Sequence, residues 1–229
     1  MKTLVFDTSS LISLATNNLL WIGEPLQKKF GGQFLLPPSV REEIIDDPLQ
    51  SKRFKFEAMQ LLAEIEKNVF TLYSNSPLDE EVKNVLNIAN RIFIARGKYI
   101  KVLHHGEVGA LLVAEKLGSD ALVIDERSTR LLVESPRALA KIFRNRMNTS
   151  VKIDGKNLKK FQERFGHLNI LRSVELSVIA FELGLLNKYL VPDSVSKADL
   201  LDAVLWGLKL RGCSVSDFEI QTIIENELS

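Results

Sequence analysis

The sequence predicts an α/β fold built on a mostly parallel sheet with helices on both faces, plus helices at the C-terminal end. Three observations carry this. Residues 2–6 (KTLVF) are a short apolar run ending at an acid, Asp7. Thr8, Ser9 and Ser10 follow with N-cap chemistry for a helix through Leu11, Ile12, Leu14 and Ala15. Residues 106–118 (GEVGALLVAEKLG) read as an apolar helix with Gly118 as its C-cap, and 121–124 (ALVI) as an all-apolar strand that again ends at an acid, Asp125. Strands that are apolar throughout, joined through helices by short connections, belong to parallel sheets covered on both faces.

The remaining elements follow from spacing and punctuation. Residues 33–36 (QFLL) read as a strand stopped by Pro37-Pro38, and Pro38 suits the first turn of a helix carrying Val40, Ile44 and Ile45. Residues 54–68 have the period of a helix, with Phe56, Met59, Leu62 and Ala63 on its apolar face; 69–73 read as a strand. Ser76-Pro77 opens an expected helix from 78 to about 95, with Val82, Val85, Leu86, Ala89 and Phe93 on one face. Helices are expected near 137–146 and 155–165, a last strand at 168–171, and helices at 173–183, 197–210 and 216–226. Pro192-Asp193-Ser194 marks a boundary, dividing the chain into 1–190, with a basic insertion at about 137–167, and a C-terminal helical extension at 191–229.

Hydrophobic residues at 45% and charged residues at 26% describe a globular chain rather than a disordered one. No apolar run approaches the length of a bilayer span; the segment 177–186 is too short and contains Glu182. The N-terminus lacks a signal-peptide core, and a cytoplasmic location is the expectation. With one cysteine, Cys213, disulfide frameworks and cysteine-based zinc sites are excluded; the residue reads as a small buried hydrophobe. Net charge is +1, but residues 137–164 hold nine basic side chains against Asp154 and Glu163, a local +7 that leaves −6 elsewhere. The basic set is Arg137, Lys141, Arg144, Arg146, Lys152, Lys156, Lys159, Lys160 and Arg164. Such asymmetry fits either a phosphate-bearing partner or a solvated helical face.

Four acids carry the chemical expectation. Asp7 and Asp125 each end a strand, and ligands of parallel sheets bind outside the carboxyl ends of the strands. Glu107 heads the apolar face formed by Ala110, Leu111 and Ala114, and Glu43 sits early in the helix that follows 33–36. Carboxylates gathered in one crevice repel each other, and Mg²⁺ or Mn²⁺ relieves that repulsion while suiting a phosphate substrate. Each acid also has a plainer reading: Asp7 as a helix cap, Glu107 as a partner of the helix dipole, Glu43 as an exposed acid, Asp125 as part of a surface turn. His104 and His105 read as loop or capping residues.

In order, Asp7-Thr8-Ser9-Ser10-Leu11-Ile12, Pro38-Ser39-Val40-Arg41-Glu42-Glu43, Gly106-Glu107, and Val123-Ile124-Asp125-Glu126-Arg127 with Arg130 resemble the PIN-domain proteins, among them VapC-like toxins and archaeal ribonucleases. The resemblance covers roughly residues 1–190 and extends to Gly184-Leu185-Leu186. It implies a three-layer α/β/α sandwich and Mg²⁺- or Mn²⁺-dependent cleavage of RNA or single-stranded nucleic acid. It implies catalytic, metal-binding acids at Asp7, Glu43, Glu107 and Asp125, with Ser9 as a hydroxyl near the metal. Substrate contacts are expected from Ser9, Arg130, Arg144, Lys156, Lys159 and Lys160. Partners that accompany this reading are RNA, a second copy of the chain and an antitoxin-like protein. The sequence departs from the family pattern in having Glu126 where a second Asp is frequent, in its basic insertion, and in exceeding the length of a compact toxin. The alternative is a PIN-like domain that binds RNA or protein as a scaffold without cutting. A haloacid-dehalogenase-type phosphatase is disfavoured because Ser9 stands where that chemistry needs a second Asp.

Overall fold

The computed structural model describes residues 2–74 and 78–228. In chain order, β1 (Thr3–Phe6) leads into α1 (Thr8–Thr16), and α2 (Gly23–Phe30) returns the chain to β2 (Gln33–Leu36). One helical run comprises α3 (Pro38–Arg41), a wider π turn (Glu42–Asp46) and α4 (Asp47–Leu49); α5 (Lys55–Glu66) and β3 (Phe70–Leu72) follow. Next come α6 (Asp79–Ala89), the hairpin strands β4 (Phe93–Ala95) and β5 (Lys98–Tyr99), α7 (His105–Leu117) and β6 (Ala121–Val123). Then α8 (Arg127–Glu134), α9 (Pro136–Met147), β7 (Val151–Ile153) and α10 (Gly155–Phe165) precede β8 (Ile170–Leu171) and α11 (Ser173–Glu182). The chain closes with α12 (Lys197–Leu210) and α13 (Asp217–Leu228).

Five strands pair in parallel in the order β3-β2-β1-β6-β8, with helices on both faces: a three-layer α/β/α sandwich. Alternation along the strands divides the interior in two. Leu4, Phe6, Phe34, Leu36, Ala121 and Val123 point to one face and join the core beneath α1, α11 and α12. Val5, Leu35, Leu122 and Ile124 point to the other face and join the core of α6, α7, α9 and α10. The stretch 191–229, set apart by its Pro-Asp-Ser turn in the sequence, shares the first of these cores: Leu201, Leu205, Leu208, Cys213, Val215 and Ile220 cluster with Phe6 and Leu11. Among the described residues, no helix is long and apolar enough to cross a membrane.

Several local expectations are corrected. The cap of α1 is Asp7 itself, whose carboxylate accepts the Ser9 N–H at 3.0 Å. On α5 the buried positions are Ala58, Leu61 and Glu64, whereas Phe56 and Met59 are 69% and 49% exposed. The apolar spacing there fits two faces, and only packing selects one. The expected opening at Ser76-Pro77 lies outside the described residues. The helix expected to run to about residue 95 ends at Ala89, and Phe93 belongs to a strand. Asn90 stops it: its Oδ1 accepts the N–H groups of Val102 and Leu103 at 2.6 and 2.9 Å, and its Nδ2 donates to the Leu103 carbonyl. Arg96 and Gly97, both at positive φ, then turn β4 into β5. The free edge of β4 takes β7, so the basic segment is tied antiparallel to the hairpin in a second, three-stranded sheet.

Because one amide closes three backbone groups, Asn90→Ala should destabilise the fold by about 2 kcal/mol, the cost of leaving buried donors unpaired. A urea titration read by circular dichroism checks this; an unchanged midpoint would mean that water or another side chain already serves those groups.

Candidate functional site

At the carboxyl edge of the sheet, Asp7, Glu43, Glu107 and Glu126 line one cleft of about 140 Å³ together with Ser9, His104 and Gly106. Each acid arrives on a different element, for a local reason. Asp7 follows β1, on the side of the sheet that faces α7, and is 3% exposed. Its Oδ2 accepts both the N–H and the hydroxyl of Ser9, at 3.0 and 2.6 Å. The Ser9 hydroxyl in turn accepts the Asp125 N–H at 3.0 Å, so one side chain fixes the carboxylate of Asp7 to the end of the neighbouring strand.

Glu107 occupies the first turn of α7, where its carboxylate accepts the His104 N–H. Glu43 rides on the π turn after α3, is exposed, and accepts the Thr8 hydroxyl at 2.7 Å. Its approach depends on Gly106: a Cβ there would overlap the Glu43 carboxylate. Glu126 caps α8, accepting the Thr129 N–H and, more weakly, its hydroxyl through Oε2, at 2.7 and 3.3 Å.

Electrostatics follow from this crowding. Burial pushes Asp7 up to about 6, and the charge of Glu43 adds to the rise against the lowering effect of Ser9. Burial likewise pushes Glu107 up to about 7, with Asp7, Glu126 and Glu43 all raising it further. The edge of the sheet therefore concentrates acid oxygens that resist carrying their full charge.

Asp125 is brought to the neighbouring strand end but not into the cleft. It is 1% exposed, and both of its carboxylate oxygens are occupied: the Ser173 N–H donates to Oδ1 at 2.7 Å and the Ser173 hydroxyl to Oδ2 at 2.6 Å. Burial raises its pKa, while Ser13, Ser173 and the Cys213 thiol act in the other direction. The reason is register. Phe6 pairs with Val123, so Asp7 lies level with Ile124 and Asp125 takes the opposite face. Glu126, one residue further, returns to the side of Asp7. Cys213, buried beside Asp125, has its thiol pushed up to about 12, chiefly by burial and then by the Asp125 charge, which keeps it in the thiol form.

Of the expected substrate-binding residues, Ser9 lines the cleft. Arg130 pairs with Glu134 at 3.3 Å, and Lys159 stands 3.8 Å from Glu163 on the exposed surface of α10. Arg144, Lys156 and Lys160 are exposed and line neither the cleft nor the groove beside it. Arg164, from the same basic segment, is held by Glu115, with Nε to Oε1 at 2.8 Å. That neighbouring groove, of about 360 Å³, shares His104, Glu107 and Glu126 with the cleft and adds Lys101 and Arg146, which the spacing of acids alone did not single out.

Among the described residues, no group of three or more His, Cys, Asp or Glu side chains stands in an arrangement that could hold a metal ion. No protein-family model, no curated protein and no solved structure matches the chain.

Raised carboxylate pKa values make stability depend on pH with a definite sign. Between about pH 4 and 7 the folded protein binds more protons than the unfolded chain, so these groups lower stability as pH rises through that window. Asn at position 7 keeps a capping oxygen and removes the charge. In chelator near pH 7.5, Asp7→Asn should be more stable than the native protein by roughly 2 kcal/mol, and the gap should close near pH 4. Thermal melts across this range test it; a gap independent of pH would show that folding leaves the Asp7 pKa unshifted.

Proposed function

We propose that this protein is a divalent-cation-dependent nuclease, hydrolysing phosphodiester bonds in RNA or other single-stranded nucleic acid at the cleft of Asp7, Glu43, Glu107 and Glu126. One observation carries the reading: four carboxylates from four separate elements line a single cleft at the carboxyl edge of a parallel sheet, two of them with pKa values raised to about 6 and 7. Asp7, Glu107 and Glu126 each serve the start of a helix, but gathering them with Glu43 in one cleft adds burial and mutual repulsion that capping alone does not require. The resemblance of the sequence to PIN-domain nucleases points the same way and rests on the short motifs alone.

The donor set is all oxygen, which suits a hard cation, and the repulsion among the acids is what such an ion would relieve. Asp7, Glu43 and Glu107, which line the cleft, are the residues that would hold it. When bound, Mg²⁺ or Mn²⁺ supplies Lewis-acid stabilisation of the charge that develops at the phosphate and the leaving oxygen. The chain's own residues supply positioning. Ser9 fixes the Asp7 carboxylate, Gly106 leaves room for Glu43, and Glu126, hydrogen-bonded through Oε2, keeps a second oxygen for the attacking water.

A second reading, a nucleic-acid-binding scaffold that does not cut, is favoured by one feature: Asp125, the remaining strand-end acid, is fully engaged by Ser173 and turned away from the cleft.

Cleavage assays separate the two. Asp7→Asn and Glu107→Gln should each lower Mn²⁺-stimulated cleavage of a single-stranded RNA by at least about a hundredfold, roughly 3 kcal/mol in the barrier, with unchanged far-UV circular dichroism. Gly106→Ala should displace Glu43 and lower cleavage about tenfold, while its cost to stability is offset by the better helix propensity of Ala. Full activity in both acid variants, or none in the native protein with either cation, would sink the nuclease reading.

A further inference from the structure

The acidic cleft opens into a groove whose far wall differs from it in charge and polarity. Ile100, Lys101 and Val102 come from the segment after the β4–β5 hairpin, and Phe143, Arg146 and Met147 from the last turns of α9. The near wall is His104, Glu107 and Glu126, shared with the cleft. The two halves of the far wall are held together: β4 pairs with β7 just beyond α9, and the Arg96 guanidinium donates to the Met147 carbonyl at 3.1 Å. The β4–β7 pairing and the Arg96–Met147 bond thus tie the hairpin to the end of α9.

We propose that this groove is a subsite for one nucleotide of a single-stranded polynucleotide, the nucleotide next to the phosphate placed at the acids; this rests on the reading of the cleft as a phosphodiester site. Three features carry it. Lys101 and Arg146 are exposed and make no ion pair among the described residues, in contrast to Arg130 and Arg164, which acids occupy. Two unpaired cations beside a cluster of acids form a charge gradient along one groove, suited to a ligand that carries phosphates at a fixed spacing. Of the apolar lining, Ile100 and Met147 are accessible and Val102 and Phe143 are buried, together giving a surface against which the face of a base can lie. At about 360 Å³ the groove is within the range of small-ligand sites and takes one nucleotide unit. A base within a duplex is stacked and paired and cannot enter, so the ligand is single-stranded.

The test is binding of a labelled single-stranded oligonucleotide to the full chain in chelator, where no cleavage occurs, read by fluorescence anisotropy across a salt series. The double variant Lys101→Ala/Arg146→Ala should weaken binding about tenfold and reduce the slope of log affinity against log salt by one to two, as expected for about two lost phosphate contacts. Met147→Ala should weaken binding about threefold without changing the slope, and a duplex of the same sequence should bind more weakly than the single strand. The Lys156→Ala/Lys159→Ala/Lys160→Ala variant, which removes charge from α10 outside the groove, should bind as the native protein does. Native-like binding by the Lys101/Arg146 variant, an equal loss in the α10 variant, or no binding by the native protein would overturn the subsite. Groove-dependent binding without Mn²⁺-stimulated cleavage would support the subsite while removing the proposed reaction. Cleavage that is indifferent to Lys101 and Arg146 would remove the subsite alone.

Discussion

The parallel pairing of β1 with β6, Phe6 against Val123, is the contact on which the arrangement of acids at the sheet edge depends. It brings two strand ends that are far apart in sequence to one edge, and it assigns their acids to opposite faces. The pairing continues past the strands: the Asp7 N–H donates to the Val123 carbonyl at 2.9 Å, and the Ser10 hydroxyl bridges the carbonyls of Asp7 and Val123 at 2.9 and 3.1 Å. A slip of one residue would exchange Asp125 with Glu126 in the cleft and drive a charge into the apolar core on the other side. With both faces buried, such a slip is excluded by the packing of Val5, Leu122 and Ile124 on one side and Leu4, Phe6 and Val123 on the other.

The face that receives Asp125 is closed by the C-terminal part of the chain. The Ser214 N–H donates to the Asp125 carbonyl at 3.2 Å, the Arg127 Nε to the Ser214 hydroxyl at 2.8 Å, and the Arg172 guanidinium to the Ser214 carbonyl at 2.7 Å and to Glu219 at 2.9 Å. Burial opposes the charge on Arg172, but Glu175 and Glu219 more than offset it and keep the guanidinium protonated. A buried cation with paired acids on α11 and α13 holds the last helix in one position. The residues after 190 are thus the back wall of the strand-end region and contribute to its rigidity.

On the open face the constraint is electrostatic. Glu43 reaches the cleft because the second residue of α7, Gly106, is a glycine at the point of closest approach, and its carboxylate lies where any larger residue would place a Cβ. Bringing it there raises the proton affinity of Asp7 and Glu107. The basic segment relieves none of this directly: most of its cations are exposed on α9 and α10 or, like Arg164, committed to acids of other helices. Its structural effect comes through β7, which ties the segment after α9 to the hairpin, so that Arg146 and Lys101 line the same groove.

Much of the fold was legible in the sequence because its signals are local. All-apolar strands ending at Asp7 and Asp125, the helix at 106–118 with its closing Gly118, and the helices at 155–165 and 197–210 follow from the burial period and from caps, which a short window contains. The gathering of Asp7, Glu43 and Glu107 could be anticipated for the same reason, since each stands where an element begins or ends. What tertiary structure decided were the choices between local options of equal merit. Residues 93–95 became a strand because Asn90 captured the backbone of 102–103 and β7 supplied a partner from 60 residues away, Ile153 against Phe93. The apolar face of α5 was chosen by packing, which left Phe56 outside. Asp125 and Glu126 are adjacent in sequence and equally acidic; the register of β6 on β1, a relation between distant segments that no local pattern encodes, put Glu126 in the cleft and Asp125 in the wall behind it.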